Sequence, residues 1–439
     1  MKGIKSGAVL QRNKDDICEI YVDKKGIKSV TYKGKSENGI CEVSECEYGT
    51  KISGIKTGGP YTVDIDGEIF ENILVGDVYI LAGQSNMEGF GWIESGDGKV
   101  KNDFCRALYH NGTWGGAKHP LHNIGDDIYG AHKFLGANRP DTFKKIGAGV
   151  DFLHTLYELY DGVPQAVIPC AHGGTRLSLW QKGEDGADKS LYAAMYQRFL
   201  DCGKNIAGMF WYQGCNDAFE NEGITYFEDF SRFADNFFSD FGSVPILTVQ
   251  IGRVIVEESE KLRDGWQRVQ DAQRKITEKY ENIYMLSAID FDLDDQIHLS
   301  RAAQTKLGIL GGRAMYAIKN PENEKGILKP IELDSVKVEA DKTTGKAFIY
   351  IRYKNVFGKL VCFDRASGYY LSGNGLNPDR HMIFSTRLLG DTVELRTEME
   401  VENVKNMNLF YGYGINPICN IKDESGNALP VFCTDLKEI

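Results

Sequence analysis

The stretch Val78-Tyr79-Ile80-Leu81-Ala82-Gly83-Gln84-Ser85-Asn86-Met87 decides how this chain folds. Five apolar residues run without a polar break, so neither face of the segment meets water. That pattern suits a strand of a parallel sheet covered on both sides. Gly83 and Gln84 end the run and place a serine just beyond it. Four further runs read the same way: Ala166-Val167-Ile168, Met209-Phe210-Trp211-Tyr212, Ile246-Leu247-Thr248-Val249 and Ile283-Tyr284-Met285-Leu286. Between them the pattern predicts helices near 150–160, 190–204, 225–240, 264–281 and 300–318. Phe227, Phe230, Phe233 and Phe237 fall three and four residues apart, one apolar helical face turned to a core. Strands alternating with helices predict a doubly wound α/β domain over 76–325.

The flanks read differently. Residues 1–75 carry short period-2 runs such as Cys18-Glu19-Ile20-Tyr21-Val22 and Tyr61-Thr62-Val63-Asp64-Ile65. Turns fall at Lys24-Lys25-Gly26 and Asp66-Gly67, and the whole predicts an N-terminal β-domain. Over 326–439 the helical pattern disappears. Ala347-Phe348-Ile349-Tyr350-Ile351-Arg352-Tyr353 and Val393-Glu394-Leu395-Arg396-Thr397 alternate strictly, which predicts a C-terminal β-domain. No solenoid repeat or low-complexity tract appears.

Composition narrows the function classes. The chain has 439 residues, enough for two or three domains. Its formal net charge is -11, from 51 basic and 62 acidic residues. That argues against a nucleic-acid partner, which calls for a basic face, and against an anionic membrane surface. No run approaches the roughly 18 apolar residues of a membrane span. Met1-Lys2-Gly3-Ile4-Lys5-Ser6 leads into no apolar leader core, so the expected location is cytoplasmic. The 10 cysteines are scattered, without the paired Cys and His spacing of a zinc site. They read as buried reduced thiols, as in a reducing compartment. No dinucleotide or phosphate glycine loop and no His-Glu-x-x-His appears, so no cofactor or metal is expected. The oligomeric state is not legible.

Ligands of a parallel α/β sheet bind beyond the carboxyl ends of its strands. The first run is followed by Gly83-Gln84-Ser85-Asn86, the second by Ala171-His172-Gly173-Gly174-Thr175, and the third by Gln213-Gly214-Cys215-Asn216-Asp217. After the last come Asp290 and then Asp294-Asp295-Gln296-Ile297-His298. Together these ends offer a hydroxyl, glycine amides, a side-chain amide and an imidazole with acidic neighbours, the parts for acyl transfer. Ser85 needs a base to take its proton, and His298 follows a strand end with a carboxylate three residues before it. Asp295 would orient the imidazole, with Asp290, Asp292 and Asp294 as alternatives. Ser300 is placed to cap the helix that follows. Oxyanion donors are the Ser85 amide, a Gly174 or Gly173 amide and the Asn216 side chain, each worth about 10²–10³ in rate. Each residue also has a purely structural reading. Ser85 is then a turn serine, the glycines tight turns, Asn216 an Asx-turn or cap, and His298 a surface histidine. Their position at successive strand ends is what joins them into one site.

These segments resemble the SGNH hydrolases, named for a Ser, Gly, Asn and His in four blocks. Gly83-Gln84-Ser85-Asn86-Met87-Glu88 resembles the nucleophile block of the sialate O-acetylesterase branch and related carbohydrate acetylesterases. Gly173-Gly174-Thr175 with Trp180, then Trp211-Tyr212-Gln213-Gly214-Cys215-Asn216-Asp217, then Asp295-Gln296-Ile297-His298 resemble the other three. Ser6-Gly7-Ala8-Val9-Leu10-Gln11-Arg12, Gly58-Gly59-Pro60-Tyr61, Tyr411-Gly412-Tyr413-Gly414-Ile415-Asn416-Pro417 and Ala428-Leu429-Pro430-Val431-Phe432 resemble the flanking β-modules, so the likeness covers nearly the whole chain. The resemblance implies a flavodoxin-like three-layer α/β/α domain flanked by N- and C-terminal β-domains. It implies Ser85 as nucleophile, His298 as base, Asp295 as its partner, and an oxyanion hole of Ser85, a block-two glycine and Asn216. The chain departs at Cys215, where that branch often has an acidic residue, and at His172 before the two glycines.

The expected function is a carbohydrate O-acetylesterase working through an acetyl-enzyme on sialic acid or hemicellulose oligosaccharides. Gln84, Gln213, Arg176 and Trp180 are the expected substrate contacts. Arg176 or Arg253 would pair with a sugar carboxylate or else form a structural ion pair. Trp92, Trp114 and Trp180 would stack on sugar rings or else pack in the core. The alternatives are a non-catalytic carbohydrate-binding protein on the same fold and a short-chain lipase or thioesterase. The segment 89–147 is rich in Gly, Asn and His and lacks the apolar runs of an acyl-chain tunnel. Met87 stands where the second glycine of an α/β-hydrolase elbow would be.

Overall fold

The opening apolar run is the second half of a 16-residue strand, Glu68–Gly83 (β1), in a computed structural model that describes residues 1–134, 144–183, 190–220, 223–373 and 382–439. Burial explains its two halves. Up to Asn72 most of its side chains are exposed, and from Ile73 to Gly83 every residue is buried. Strands Cys105–Leu108 (β2), Trp114–Gly116 (β3), Gln165–Pro169 (β4) and Gly208–Tyr212 (β5) join it in the order β3-β2-β4-β1-β5. All neighbours are parallel except β3, which turns back on β2. The chain therefore works on one side of β1 through β4 and crosses to its other side at β5. A crossover of this kind opens a crevice at the carboxyl end of the central strand, and Ser85 lies two residues past that end.

The chain divides into two compact units. One holds residues 1–213, 229–246 and 298–313, and the other 214–228, 247–297 and 314–439. Helices stand where the spacing predicts them: Gly149–Leu159, Leu191–Asp201, Tyr226–Phe241, Glu260–Lys279 and Arg301–Lys319. Ser190, Ser259 and Ser300 cap three of them, each hydroxyl accepting an amide three residues on. Phe230, Phe233 and Phe237 are fully buried, with Phe233 stacked on Trp211 at 4.7 Å, while Phe227 is half-buried.

The first unit also contains the N-terminal β region, built around Leu10, Ile20, Ile52, Val63 and Val75. The sequence reading puts a boundary between 75 and 76, and β1 crosses it unbroken. The change in pattern there marks one strand passing from a half-exposed to a sandwiched setting. Val9–Gln11 pairs in parallel with β1, and Arg12 donates to buried Asp77 at 2.8 Å, so the two regions share a strand and an ion pair.

In the second unit Ile246–Gln250 (β6) and Ile283–Ser287 (β7) are hydrogen-bonded neighbours. Four antiparallel strands follow in the order Glu332–Ala340, Lys346–Lys354, Thr392–Glu400, Ile383–Leu389, beside a three-stranded sheet of Tyr369–Gly373, Met407–Tyr411 and Phe432–Asp435. They share a core of Ile351, Leu371, Leu395, Leu409 and Phe432. The expectation that helix disappears here is corrected by one turn, Val401–Val404. Fully buried Gln250 donates to Val431 O at 2.9 Å and accepts from Val431 N at 2.8 Å. That pair of bonds ties the end of β6 to the C-terminal strands, so the unit does not end near 325. No described helix is long and apolar enough to cross a membrane.

Candidate active site

Backbone geometry sets the turn after β1. Gly83 has φ +127°, and a Cβ there would lie 2.2 Å from Tyr212 O. Only glycine lets the ends of β1 and β5 approach this closely. Gln84 N then donates to Tyr212 O at 2.8 Å, and Gln84 O accepts both Met87 N and Glu88 N at 2.9 Å. These bonds wind Ser85–Glu88 into a single helical turn that starts at the serine. Ser85 is 6% exposed, a hydroxyl held at the surface of a packed floor.

The second strand end is pinned to this turn. His172 N donates to Gly83 O at 2.9 Å, and Gly173 N donates to Glu88 Oε2 at 2.6 Å. The latter is a charge-assisted bond from a buried carboxylate, among the stronger kinds. Thr175 Oγ1 donates to His172 O at 2.7 Å, and Gln213 Nε2 donates to Thr175 O at 3.1 Å. Gly174 follows with φ +75° and is exposed.

The His298 end is pinned as well. Leu299 N donates to Asn86 Oδ1 at 2.9 Å, and Gln304 Nε2 donates to Asn86 O at 3.1 Å. Asn86, next to Ser85, thus holds the residue next to His298 across more than two hundred positions of sequence. The His298 ring is half-buried and stacks on Phe90 with centroids 4.2 Å apart. Arg301 donates to Trp92 O at 3.0 Å and to Asp97 at 2.8 Å, and it holds the Asp97 carboxyl well below the usual range. Nearby His119 is pushed down to about 4, chiefly by burial.

The remaining expected residues lie as follows. Asp295 is exposed, and its Oδ1 accepts Ile297 N at 3.0 Å, an Asx-type turn that shapes its loop. Asn216 is half-buried in the short helix Cys215–Glu220. Both belong to the second unit, whereas Ser85, Gly174 and His298 belong to the first. Three expected substrate contacts are corrected. Trp180 is fully buried, edge-on to Trp211 at 5.1 Å with its Nε1 on Thr175, and offers no face for stacking. Gln213 is fully buried with its Nε2 on Thr175 O, and Gln84 is 1% exposed. Arg176 is exposed. Arg253 donates to Asn416 Oδ1 at 3.1 Å and faces Asp292 at 3.8 Å, the structural alternative for that residue. Trp92 is 50% exposed and Trp114 half-buried. Cys215 is buried and its thiol is pushed up to about 12 by desolvation, so it is no nucleophile.

Sequence reading missed Glu88, Phe90 and Gln304. Glu88 carried a signal, a carboxylate closing the turn that follows the apolar end of β1. Its partner lies 85 residues away and is not visible locally.

A family model described as carbohydrate esterase, sialic acid-specific acetylesterase, matches residues 75–317, more than half of the chain. The chain belongs to this family. It is a carbohydrate esterase, a hydrolase of a family whose substrates are acetylated sugars. This esterase is 27% identical over 276 residues to a probable carbohydrate esterase of Arabidopsis thaliana, covering 57% of the present chain and 95% of the relative. Its fold is also that of a carbohydrate acetylesterase from Xanthomonas citri, with TM-score 0.71 and 18% identity over 99% of this chain and 98% of that one. The likeness takes in both β regions as well as the α/β part.

Proposed function

We propose that this esterase removes acetyl groups from sugars through an acetyl-enzyme on Ser85. His298 takes the Ser85 proton as Oγ attacks the acetyl carbonyl, and a tetrahedral oxyanion forms. The Ser85 and Gly174 amides and the Asn216 side chain receive that charge. Protonated His298 then delivers the proton to the departing sugar hydroxyl. Water, deprotonated by His298, attacks the acetyl-enzyme and releases acetate. Asp295 orients the imidazole and stabilises its protonated form. The working frame is a flavodoxin-like three-layer sheet with its site at the switch beside β1. The substrates are O-acetylated sialic acids or acetylated hemicellulose oligosaccharides. The location is cytoplasmic, in keeping with 10 unpaired thiols.

The observation that carries this reading is the Asn86 bridge, one side chain and its carbonyl joining the nucleophile turn to the His298 loop. Groups meant to exchange a proton have to be held at fixed separation, and a clamp of this kind provides that. The test is acetate release from a chromogenic acetyl ester and from a panel of O-acetylated sialic acids and hemicellulose oligosaccharides. Release from at least one sugar class, falling steeply as acetyl is replaced by longer acyl groups, is expected. No acetate from any of them would sink the proposal, and equal rates on long acyl esters would make the protein a lipase or thioesterase.

A further inference from the structure

Four of the eight histidines, His110, His122, His132 and His172, are buried together in the first unit, each at most 3% exposed. The His132 and His172 rings stack with planes 11° apart, and their Nδ1 atoms are 2.9 Å from each other. His110 stands edge-on to His132 at 5.0 Å and lies 5.9 Å from His122. None of these rings belongs to the acyl-transfer set. Yet His172 immediately precedes the two glycines assigned to the oxyanion.

We propose that His132 is a positioning residue: its Nδ1–Nδ1 hydrogen bond to His172 holds the Gly173-Gly174 loop at the setting catalysis needs. The inference rests on the reading of that loop as an oxyanion donor. Two consecutive glycines have the largest backbone freedom a chain can offer. An oxyanion donor works only if its direction is settled before the reaction. The loop therefore has to be fixed from outside. Gly83 O takes the His172 amide, Glu88 takes the Gly173 amide, and the Thr175 hydroxyl takes the His172 carbonyl. Those bonds leave the His172 side chain to set the tilt of the segment, and His132 is its partner.

The bond also dictates a charge state. Two Nδ1 atoms share a hydrogen bond only if one is bare, so two protonated rings cannot make it. A single added proton keeps the bond but buries a second cation near the guanidinium of Arg198, itself fully buried with its Nη2 on Leu108 O. The groups that bear on the stack are Arg198, His110 and His122, with the buried Asp127 against the His132 backbone and close enough to sense Arg198. Burial first, then Arg198 and the neighbouring imidazoles, push His110 and His132 well below the ordinary imidazole range.

Substitution and spectroscopy test it. His132→Phe keeps the ring volume and removes both nitrogens; His132→Asn keeps a polar group near the Nδ1 position. His132→Phe is expected to lower kcat about 10–100-fold with KM changed less than about twofold, and His132→Asn to recover most of kcat. A residue that only filled space would show the reverse order, with Phe the better replacement, and that result overturns the proposal. Should His132→Phe fail to fold, nitrogen-15 imidazole shifts of the wild-type protein decide. At least one Nδ1 of the His132–His172 pair is expected to stay unprotonated through the ordinary imidazole range, and titration of both rings near about 6.5 overturns the pair. An active wild type with His132→Phe and His132→Asn equally active defeats this inference alone. A wild type silent on every acetyl ester defeats the function reading and this role with it.

Discussion

The turn that carries Ser85 and the loop that carries Asp295 are held in opposite ways. Around Ser85 the local bonds of one helical turn are joined by buried anchors distant in sequence: Tyr212 under Gln84, Gly173 on Glu88, Leu299 and Gln304 on Asn86. At Asp295 the carboxylate is exposed and accepts the Ile297 amide two residues on, an anchor within its own loop. In the proposed mechanism Ser85 has to meet its base and its oxyanion donors within a few tenths of an ångström, and long-range bonds hold its turn. The proposed role of Asp295, tuning the base, asks less of its position. The difference teaches where substitution should hurt.

Ser85→Ala is the most damaging change for chemistry, and kcat for acetate release should fall about 10⁴-fold or more with the melting temperature nearly unchanged. Retained turnover would remove Ser85 from its role and dissolve the contrast. Gly83→Ala tests the buried anchoring itself. A Cβ 2.2 Å from Tyr212 O should cost about 3 kcal/mol or more by denaturant titration. Gly26→Ala, at φ +72° with nothing within 4 Å, should cost only about 1 kcal/mol. Equal losses would mean the close approach of β1 and β5 is not what demands glycine.

Asn86→Ala leaves the Leu299 amide without its acceptor, and should lower kcat about 10–100-fold and stability by about 1–3 kcal/mol. Asp295→Asn should cost only about 10-fold in kcat, well short of the about 10⁴ lost when a buried triad aspartate is changed. A loss as large as that of Ser85→Ala would show the exposed loop to be as exacting as the buried one.

The smallest effect concerns pH. Burial lowers the folded-state affinity of His110, His119 and His132 for protons, His119 to about 4. The unfolded chain takes up these protons first, so stability is full above the unfolded value of about 6.5 and is lost as pH falls below it. His119 should cost about 0.7 kcal/mol between pH 7 and 6, and His119→Gln should flatten the melting curve in that window. An unchanged slope would place the His119 ring in water.

Much of this architecture is legible in the chain because burial on both faces removes nearly every polar residue from a strand. The runs at 78–82, 166–168, 209–212, 246–249 and 283–286 show it, and each has its strand. The boundary near 75 misread the same signal, since β1 changes its surroundings midway without ending. Trp180 shows the other limit. Its composition fits a sugar platform as well as a core, and only its neighbour Trp211 decides for the core.

The sequence by itself determined the alternation of strands and helices and the placing of Ser85, Gly174, Asn216 and His298 after strand ends, because burial and turn chemistry act residue by residue. Tertiary structure alone decided that Glu88 holds Gly173, that Asn86 holds Leu299, and that His132 meets His172. These partners lie 85, 213 and 40 residues apart. A hydrogen bond depends on where topology returns the chain, and no local pattern records that.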